Sequence, residues 1–213
     1  MSDSATLSKM ALESGAIRLN PEKPFTWASG YKMPIYNDNR LLLGKAEYRD
    51  FISKLFARLL EGLTQNIDVI AGTATAGIPH ATSLADRLNK PLIYVRAAAK
   101  SHGMGNQIEG PLTSGKNVIL VEDLISTGGS AINAVNAIRK AGGIVDYCLC
   151  IFSYGFTEAS TKFDESNCQY HSLLSFPALL EEAQTMELLS KDQIKSLKIW
   201  HKDPFKWADT KGL

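Results

Sequence analysis

Val118-Ile-Leu-Val-Glu-Asp-Leu-Ile-Ser-Thr-Gly-Gly-Ser130 is the stretch on which the reading of the fold turns. Val118 to Val121 form the β-branched, Leu-containing run expected of a strand buried on both faces of a parallel sheet. That strand delivers Glu122 and Asp123 to its C-terminal edge, where open α/β sheets bind their ligands. Ser126, Thr127, Gly128, Gly129 and Ser130 then offer hydroxyls and unobstructed backbone N–H groups where a helix begins, and the positive end of that helix favours a phosphate. The two carboxylates would repel the same phosphate. They suit neighbouring hydroxyls instead, as the 2′ and 3′ positions of a ribose 5-phosphate supply. An ordinary strand, turn and helix with Ser or Thr caps accounts for the small residues but leaves two adjacent acids at a buried strand end unexplained. Other phosphate motifs do not fit: no Gly-Lys-Ser/Thr follows a glycine at Walker spacing, and Gly103, Gly105 and Gly110 miss the dinucleotide spacing.

Working outward, Gly72-Thr-Ala-Thr-Ala-Gly-Ile-Pro79 follows a second strand, Asp68 to Gly72, and precedes a helix over Gly77 to Leu88. Its backbone N–H groups are placed to line a second anion pocket, although a plain strand-to-helix turn has the same composition. Residues 96 to 113 make a polar, glycine-bearing segment too long for a simple connection and too irregular for a regular element. Its cations, Arg96, Lys100 and His102, suit a negatively charged leaving group that must be bound, covered and released. Solvated loop charge is the alternative.

The rest of the chain supplies the frame. Helices are predicted over Ala5 to Ser14, Lys45 to Leu63 and Gly129 to Ala141, with two more between Phe176 and His201. Further strands are predicted over Pro91 to Val95, Ile144 to Phe152 and Gln169 to Leu174. Phe25 to Gly30 and Met33 to Arg40 read as short strands around a turn, a hood of about residues 16 to 43 outside the main sheet. The fold class is therefore α/β: a mostly parallel sheet of about five strands, helices on both faces, one domain over residues 1 to 213 and a flexible loop near 97 to 113.

With 213 residues and 45% hydrophobic content, the chain can bury one sizeable core. A net charge of +1, from 23 basic and 22 acidic side chains, gives no footprint for nucleic acid or an anionic membrane. Cys148, Cys150 and Cys168 show no metal-ligand spacing, and the first two alternate along a strand as core residues, which fits a reducing cytosol. The N-terminus lacks a basic segment followed by an apolar one, and no apolar run approaches the roughly 18 residues that span a bilayer. A soluble, unprocessed, cytoplasmic chain is expected.

Residues 118 to 130 resemble the thirteen-residue phosphoribosyl-diphosphate signature of the type I phosphoribosyltransferases: four apolar residues, two acids, then a loop of small residues. Ser29-Gly30, Pro34-Ile-Tyr36, Asp38-Asn-Arg40, Tyr94-Val-Arg96, Lys100-Ser-His-Gly103 and Gly105-Asn-Gln-Ile-Glu-Gly110 narrow the likeness to the orotate phosphoribosyltransferases of Gram-positive bacteria, through to Trp200. The resemblance implies a type I phosphoribosyltransferase fold and Mg²⁺-dependent transfer of ribose 5-phosphate from 5-phosphoribosyl 1-diphosphate to N1 of orotate. The products would be orotidine 5′-monophosphate and diphosphate, a step of pyrimidine nucleotide synthesis.

It also implies roles. Thr73, Ala74 and Thr75 would hold the diphosphate, with a non-proline cis peptide between the last two. Arg96, Lys100 and His102 would neutralise it, Lys100 and His102 reaching across a homodimer into the other subunit's site and protonating the leaving group. Glu122 and Asp123 would orient the sugar. Leu124, Ile125, Ser126, Thr127, Gly128, Gly129 and Ser130 would complete the phosphoribosyl pocket, Ser126 also touching the base. Lys32, Tyr36 and Arg40 would bind orotate. The Mg²⁺ would be held by substrate oxygens and water, with no direct protein ligand. Ala28, Ala97 and Met104 stand where many relatives carry a basic residue, and Tyr154 where many carry arginine; Ala97 weakens the diphosphate clamp or leaves it to another group, while Ala28 and Tyr154 leave the residue that binds the orotate carboxylate open, with Lys32 and Arg40 as candidates. Transfer to another base (xanthine, hypoxanthine or uracil) is the nearest alternative. A non-catalytic regulator that senses phosphoribosyl diphosphate is the other, but it would ordinarily add a helix-turn-helix domain that no stretch here builds.

Overall fold

A computed structural model describes residues 2–27, 29–98 and 107–212. The chain divides into two compact units, one of the residues up to Gly44 together with those from Phe176 onward, the other of Lys45–Ser175. The predicted hood thus falls in a unit of its own with the C-terminal helices.

The first unit opens with α1 (Asp3–Glu13), capped by the Ser2 hydroxyl, which accepts from the Ala5 N–H at 3.2 Å. Short strands follow: β1 (Ile17–Leu19), β2 (Phe25–Thr26), β3 (Lys32–Met33) and β4 (Ile35–Asn37), with β1 antiparallel to β4 and β2 antiparallel to β3. The Trp27 N–H donates to the Tyr31 carbonyl at 2.9 Å and Gly30 N–H to the Trp27 carbonyl at 2.8 Å, closing the turn between β2 and β3. A 3-10 segment, Asn39–Gly44, ends this part.

The second unit carries the regular alternation. α2 (Ala46–Leu63) buries Tyr48, Ile52, Leu55, Phe56 and Leu60 on one stripe, as its 3.6-residue spacing requires. Then come β5 (Val69–Thr73), α3 (Gly77–Leu88), β6 (Leu92–Val95), β7 (Ile108–Glu109), β8 (Asn117–Ile125), α4 (Gly129–Lys140), β9 (Ile144–Ser153), α5 (Thr157–Glu165) and β10 (Gln169–Ser175). Among the described residues these strands form one six-stranded sheet in the order β10-β9-β8-β5-β6-β7, parallel throughout except for β7, which runs antiparallel to β6. The chain leaves β5 toward β6 and later returns across β5 to place β8 on its other side, so β5 and β8 flank the topological switch point.

Side-chain alternation along β8 divides its residues between the two faces. Val118 and Leu120 join Ala131, Ala134, Val135 and Ile138 of α4 and Phe163 of α5 in one core layer. α3 covers β5 and β8 and packs on α2. Cys148, Cys150 and Cys168 are free thiols buried in the α4 layer, where burial pushes their pKa values up.

Three expectations change. β8 runs four residues beyond Val121, so both acids sit within a strand still paired to β9 rather than past its end. The segment from 96 to 113, too irregular in sequence for any element, contains β7; two residues are too short to give a periodic signal, and their pairing with β6 supplies what sequence pattern cannot. Helix α5 is the third: its sequence, TEASTKFDE, is polar apart from Ala159 and Phe163, one pair at i, i+4 that α4 and β10 bury.

After β10 the chain re-enters the first unit as α6 (Phe176–Thr185) and α7 (Lys191–Lys202), the latter started by a Ser190/Gln193 capping box. Trp200 of α7 is fully buried; its indole N–H donates to the Met33 sulfur at 3.1 Å, and its ring meets Phe176 edge-on at 5.1 Å. Among the described residues no helix is long and apolar enough to cross a membrane.

Candidate active site

The two small-residue loops leave adjacent parallel strands at the switch point, the first between β5 and α3 and the second between β8 and α4. In the second, Ser126 and Thr127 are partly exposed and Gly129 and Ser130 exposed, whereas Gly128 is buried. Gly128 is the residue before α4 and holds φ +78°, a left-handed conformation that favours glycine. No side chain caps this helix start. The first N–H groups of α4, which lack intrahelical partners in any helix, are therefore presented to the loop's open side. Leu124 and Ile125 remain in β8, paired with Phe152 and Ser153; Ile125 is buried in the core, so it fixes where the loop begins.

In the first loop the peptide Ala74–Thr75 is cis, as the resemblance implied. Thr73 is buried and donates its hydroxyl to the Val121 carbonyl at 3.1 Å, joining the loop's start to β8. Ala74 N–H is engaged by the Val95 carbonyl at 2.8 Å, which ties the loop to the end of β6 and removes that N–H from anion binding. Thr75 is exposed at the tip. Gly77, the first residue of α3, lies so close to β8 that a Cβ would stand 2.5 Å from the Val121 oxygen and 2.6 Å from Thr73 Oγ1.

Between the loops lie the acids. Glu122 is 6% exposed; one of its oxygens accepts from Asp123 N–H at 3.0 Å and the other from the Ser130 hydroxyl at 3.2 Å. Burial, reinforced by the Asp123 charge, pushes its pKa up to about 8. Asp123 is partly exposed, and its side chain is hydrogen-bonded to that of Glu122.

Arg96 follows β6 directly and is partly exposed beside the first loop's anchor. Its backbone N–H donates to the Gln107 carbonyl at 2.9 Å, and its own carbonyl accepts from Gln107 Nε2 at 2.7 Å. Its guanidinium lies 3.6 Å from the Glu109 carboxylate of β7. Asn133 of α4 donates to the Ala97 carbonyl at 3.1 Å. As individual residues, Gln107, Glu109, Asn133 and Gly77 escape sequence reasoning. They act on segments distant in the chain, which no local pattern announces; only Gln107 and Glu109 carry a signal, as polar residues in the same long segment as Arg96.

Lys100 and His102, with Met104 and Ala28, lie outside the described residues. The structure brings Thr73, Ala74, Thr75, Arg96, Glu122, Asp123 and residues 126 to 130 together at one sheet edge. Lys32, Tyr36 and Arg40 belong to the other unit. There Lys32 Nζ donates to Thr26 Oγ1 at 2.9 Å, Tyr36 lies under the Arg18 guanidinium at 4.7 Å, and Arg40 forks onto Asp38 at 2.6 and 2.9 Å. That pairing is also the main reason the Asp38 carboxyl titrates below the usual carboxylate range. Tyr154 is buried and stacked on Phe156 at 5.2 Å, a core residue.

Comparison with known proteins agrees with this geometry. Residues 43–169 match the family model described as a phosphoribosyl transferase domain. The chain is 45% identical over 208 residues to the orotate phosphoribosyltransferase of Listeria monocytogenes serovar 1/2a, covering 98% of this chain and 100% of that protein. It is 46% identical over 198 residues to the orotate phosphoribosyltransferase of Bacillus pumilus, covering 93% of each. Among solved structures, the orotate phosphoribosyltransferase of Aeropyrum pernix superposes with a TM-score of 0.72 at 30% identity, over 84% of this chain and 98% of that one.

Proposed function

Because the chain belongs to the orotate phosphoribosyltransferase family, within the phosphoribosyl transferase domains, we propose that it transfers ribose 5-phosphate from 5-phosphoribosyl 1-diphosphate to orotate. The observation that carries the reading is the pair of anion loops on neighbouring strands β5 and β8 with acids between them. The donor has the same arrangement: a 5′-phosphate, a diol and a diphosphate in sequence around one ribose.

The 5′-phosphate sits on the Ser126 to Ser130 loop, where the N-terminus of α4 and the hydroxyls neutralise it without a dedicated cation. Asp123 accepts from a sugar hydroxyl and fixes the ring's orientation. The diphosphate is received by Thr75, on the loop that Thr73 anchors, together with Arg96, and Lys100 and His102 complete the charge stabilisation as it departs. The bond from C1 to the diphosphate oxygen breaks as N1 of orotate bonds to C1, through a transition state with oxocarbenium character that needs positioning and charge stabilisation rather than a covalent enzyme intermediate.

Among the described residues no group of three or more His, Cys, Asp or Glu is gathered to hold a metal. An Mg²⁺ would be held by substrate oxygens and water, without a protein cage, and would supply further neutralisation of the leaving group. Lys32, Tyr36 and Arg40 are assigned to orotate, and Ser126 to both the phosphate and the base, by likeness to the family. The same likeness supports a cytoplasmic homodimer in which Lys100 and His102 of each loop serve the other subunit's site.

The test is direct. Protein mixed with 5-phosphoribosyl 1-diphosphate, Mg²⁺ and orotate should consume the orotate absorbance band and release diphosphate. Turnover with xanthine, hypoxanthine or uracil but not orotate would move the assignment to another base, and turnover with none would remove it.

A further inference from the structure

The hood hairpin that carries Lys32 is too small to hold its own place. β2 and β3 are two residues each, and an isolated two-stranded hairpin is marginal in water. Its internal bonds, Trp27 N–H to the Tyr31 carbonyl and Lys32 Nζ to Thr26 Oγ1, close the turn without fixing where it sits. That is left to what packs on it, and the C-terminal part of the chain does so. Gln193 Nε2 donates to the Glu22 carboxylate at 2.8 Å just ahead of β2, Trp200 Nε1 donates to the Met33 sulfur in β3, and the Phe205 ring meets the Tyr31 ring edge-on at 5.1 Å.

The Phe205 contact differs from the other two. Gln193 and Trp200 belong to α7, whereas Phe205 lies in the tail that follows, between two buried indoles: Trp200 is fully enclosed and Trp207 is 1% exposed. Beyond that point the tail turns back on itself. The Thr210 hydroxyl donates to the Trp207 carbonyl at 2.7 Å, and Lys211 Nζ lies 5.2 Å from the centre of the Trp207 ring. Phe205 itself is only partly buried and adds little to the core; the ring it meets, Tyr31, is 45% exposed at the end of the turn. A ring fixed on a pinned tail and set against an exposed turn limits where that turn can go.

Resting on the proposed function, which gives Lys32 to orotate, we infer that Phe205 is a positioning residue for the base: through Tyr31 it holds the β2–β3 turn, and Lys32 with it, in the place from which orotate is bound. Tyr31 directly precedes Lys32, so displacement of one carries the other. A turn released from the tail occupies that place for only part of the time, and the apparent affinity for the base falls by that fraction. The complex, once formed, reacts as before. Binding of the phosphoribosyl donor is spared, because its two loops follow β5 and β8.

The experiment compares wild type, Phe205→Ala, Phe205→Tyr, Tyr31→Ala, the Tyr31→Ala/Phe205→Ala double variant and Ile199→Ala. Each is followed by steady-state kinetics in both substrates, thermal melting and hydrogen exchange of the peptide spanning residues 25 to 33. Phe205→Ala should raise the KM for orotate about three- to tenfold and speed exchange in that peptide, while kcat and the KM for phosphoribosyl diphosphate stay as in wild type. Partial unfolding would lower kcat instead, so the split between the constants separates the two effects. Phe205→Tyr keeps the ring edge and should match wild type. The double variant should raise the orotate KM no further than the larger single change, because both remove one contact. Ile199, 51% exposed on α7, is the control and should change nothing. Phe205→Leu, which keeps apolar bulk and drops the ring, supplies the same comparison if the alanine variant melts too low to assay. An unchanged orotate KM, KM values that rise together for both substrates, or unchanged exchange would each overturn the inference. Should wild type turn over no base at all, the proposed function fails, and exchange of the 25 to 33 peptide still decides whether the tail holds the turn.

Discussion

Replacing Gly77 by alanine tests the close approach on which both loops depend. The added Cβ would stand 2.5 Å from the Val121 carbonyl oxygen and 2.6 Å from Thr73 Oγ1. A relaxed carbon–oxygen contact is about 3.3 Å or more, so the start of α3 must withdraw by roughly 0.8 Å or the strand must yield. It cannot slide freely, because a Cβ on Gly72 below would already be 2.8 Å from the Ile78 Cα; helix and strand are seated backbone to backbone. Overpacking of this kind costs about 1–3 kcal/mol. For a chain of this size that corresponds to a fall in melting temperature of about 2–12 °C. The catalytic effect should be the larger one, since a displacement near 1 Å in a positioning element costs about 100-fold. Gly62→Ala is the matched control: it lies in α2 with nothing within 4 Å of the new Cβ, and should hold or raise stability by up to about 1 kcal/mol. Differential scanning calorimetry and the orotate absorbance assay read the two quantities separately. A Gly77→Ala protein that melts within a degree of wild type and keeps its kcat/KM would show that the junction is looser than these distances require.

The pH dependence of stability carries two opposed contributions. Glu122, raised from 4.5 to about 8, stabilises fully below its ordinary value, and that contribution is lost as pH climbs toward 8; Glu122→Gln should flatten the alkaline decline in urea titrations at pH 5 to 8. His80, lowered by burial from 6.5 to about 4, works the other way: its contribution is present above 6.5 and lost as pH falls toward 4, so His80→Gln should soften the acid decline. Arg139 donates to the Ser166, Val145 and Asn167 carbonyls at 2.5, 2.5 and 3.0 Å, and Arg139→Ala should lower the urea midpoint by the equivalent of about 2 kcal/mol or more. Gln107→Ala, which removes the side-chain bond to the Arg96 carbonyl while keeping the backbone bond from Arg96 N–H, should raise the KM for phosphoribosyl diphosphate several-fold with little change in melting; an unchanged KM would mean that this side-chain latch does not set the arginine's position.

Residues 118 to 130 determined a great deal by themselves. An apolar run, two acids and a small-residue turn state a strand, an edge and a helix start in consecutive residues, because burial, charge and backbone freedom each act over a few positions. The same locality made Gly72 to Pro79 and Arg96 legible as anion-binding candidates and made the parallel core predictable from its alternation. What the sequence could not reveal is contact between distant segments. That β7 exists, that TEASTKFDE is a helix, that Ala74 N–H is taken by Val95 and that Gly77 must be glycine all follow from neighbours brought close only by the sheet order. Glu122 and Asp123 read as equals in one dimension. The fold sets them apart by burial: Glu122 is enclosed, with the Ser130 hydroxyl donating to it, whereas Asp123 keeps partial access, a difference that depends on which neighbours the sheet brings to each.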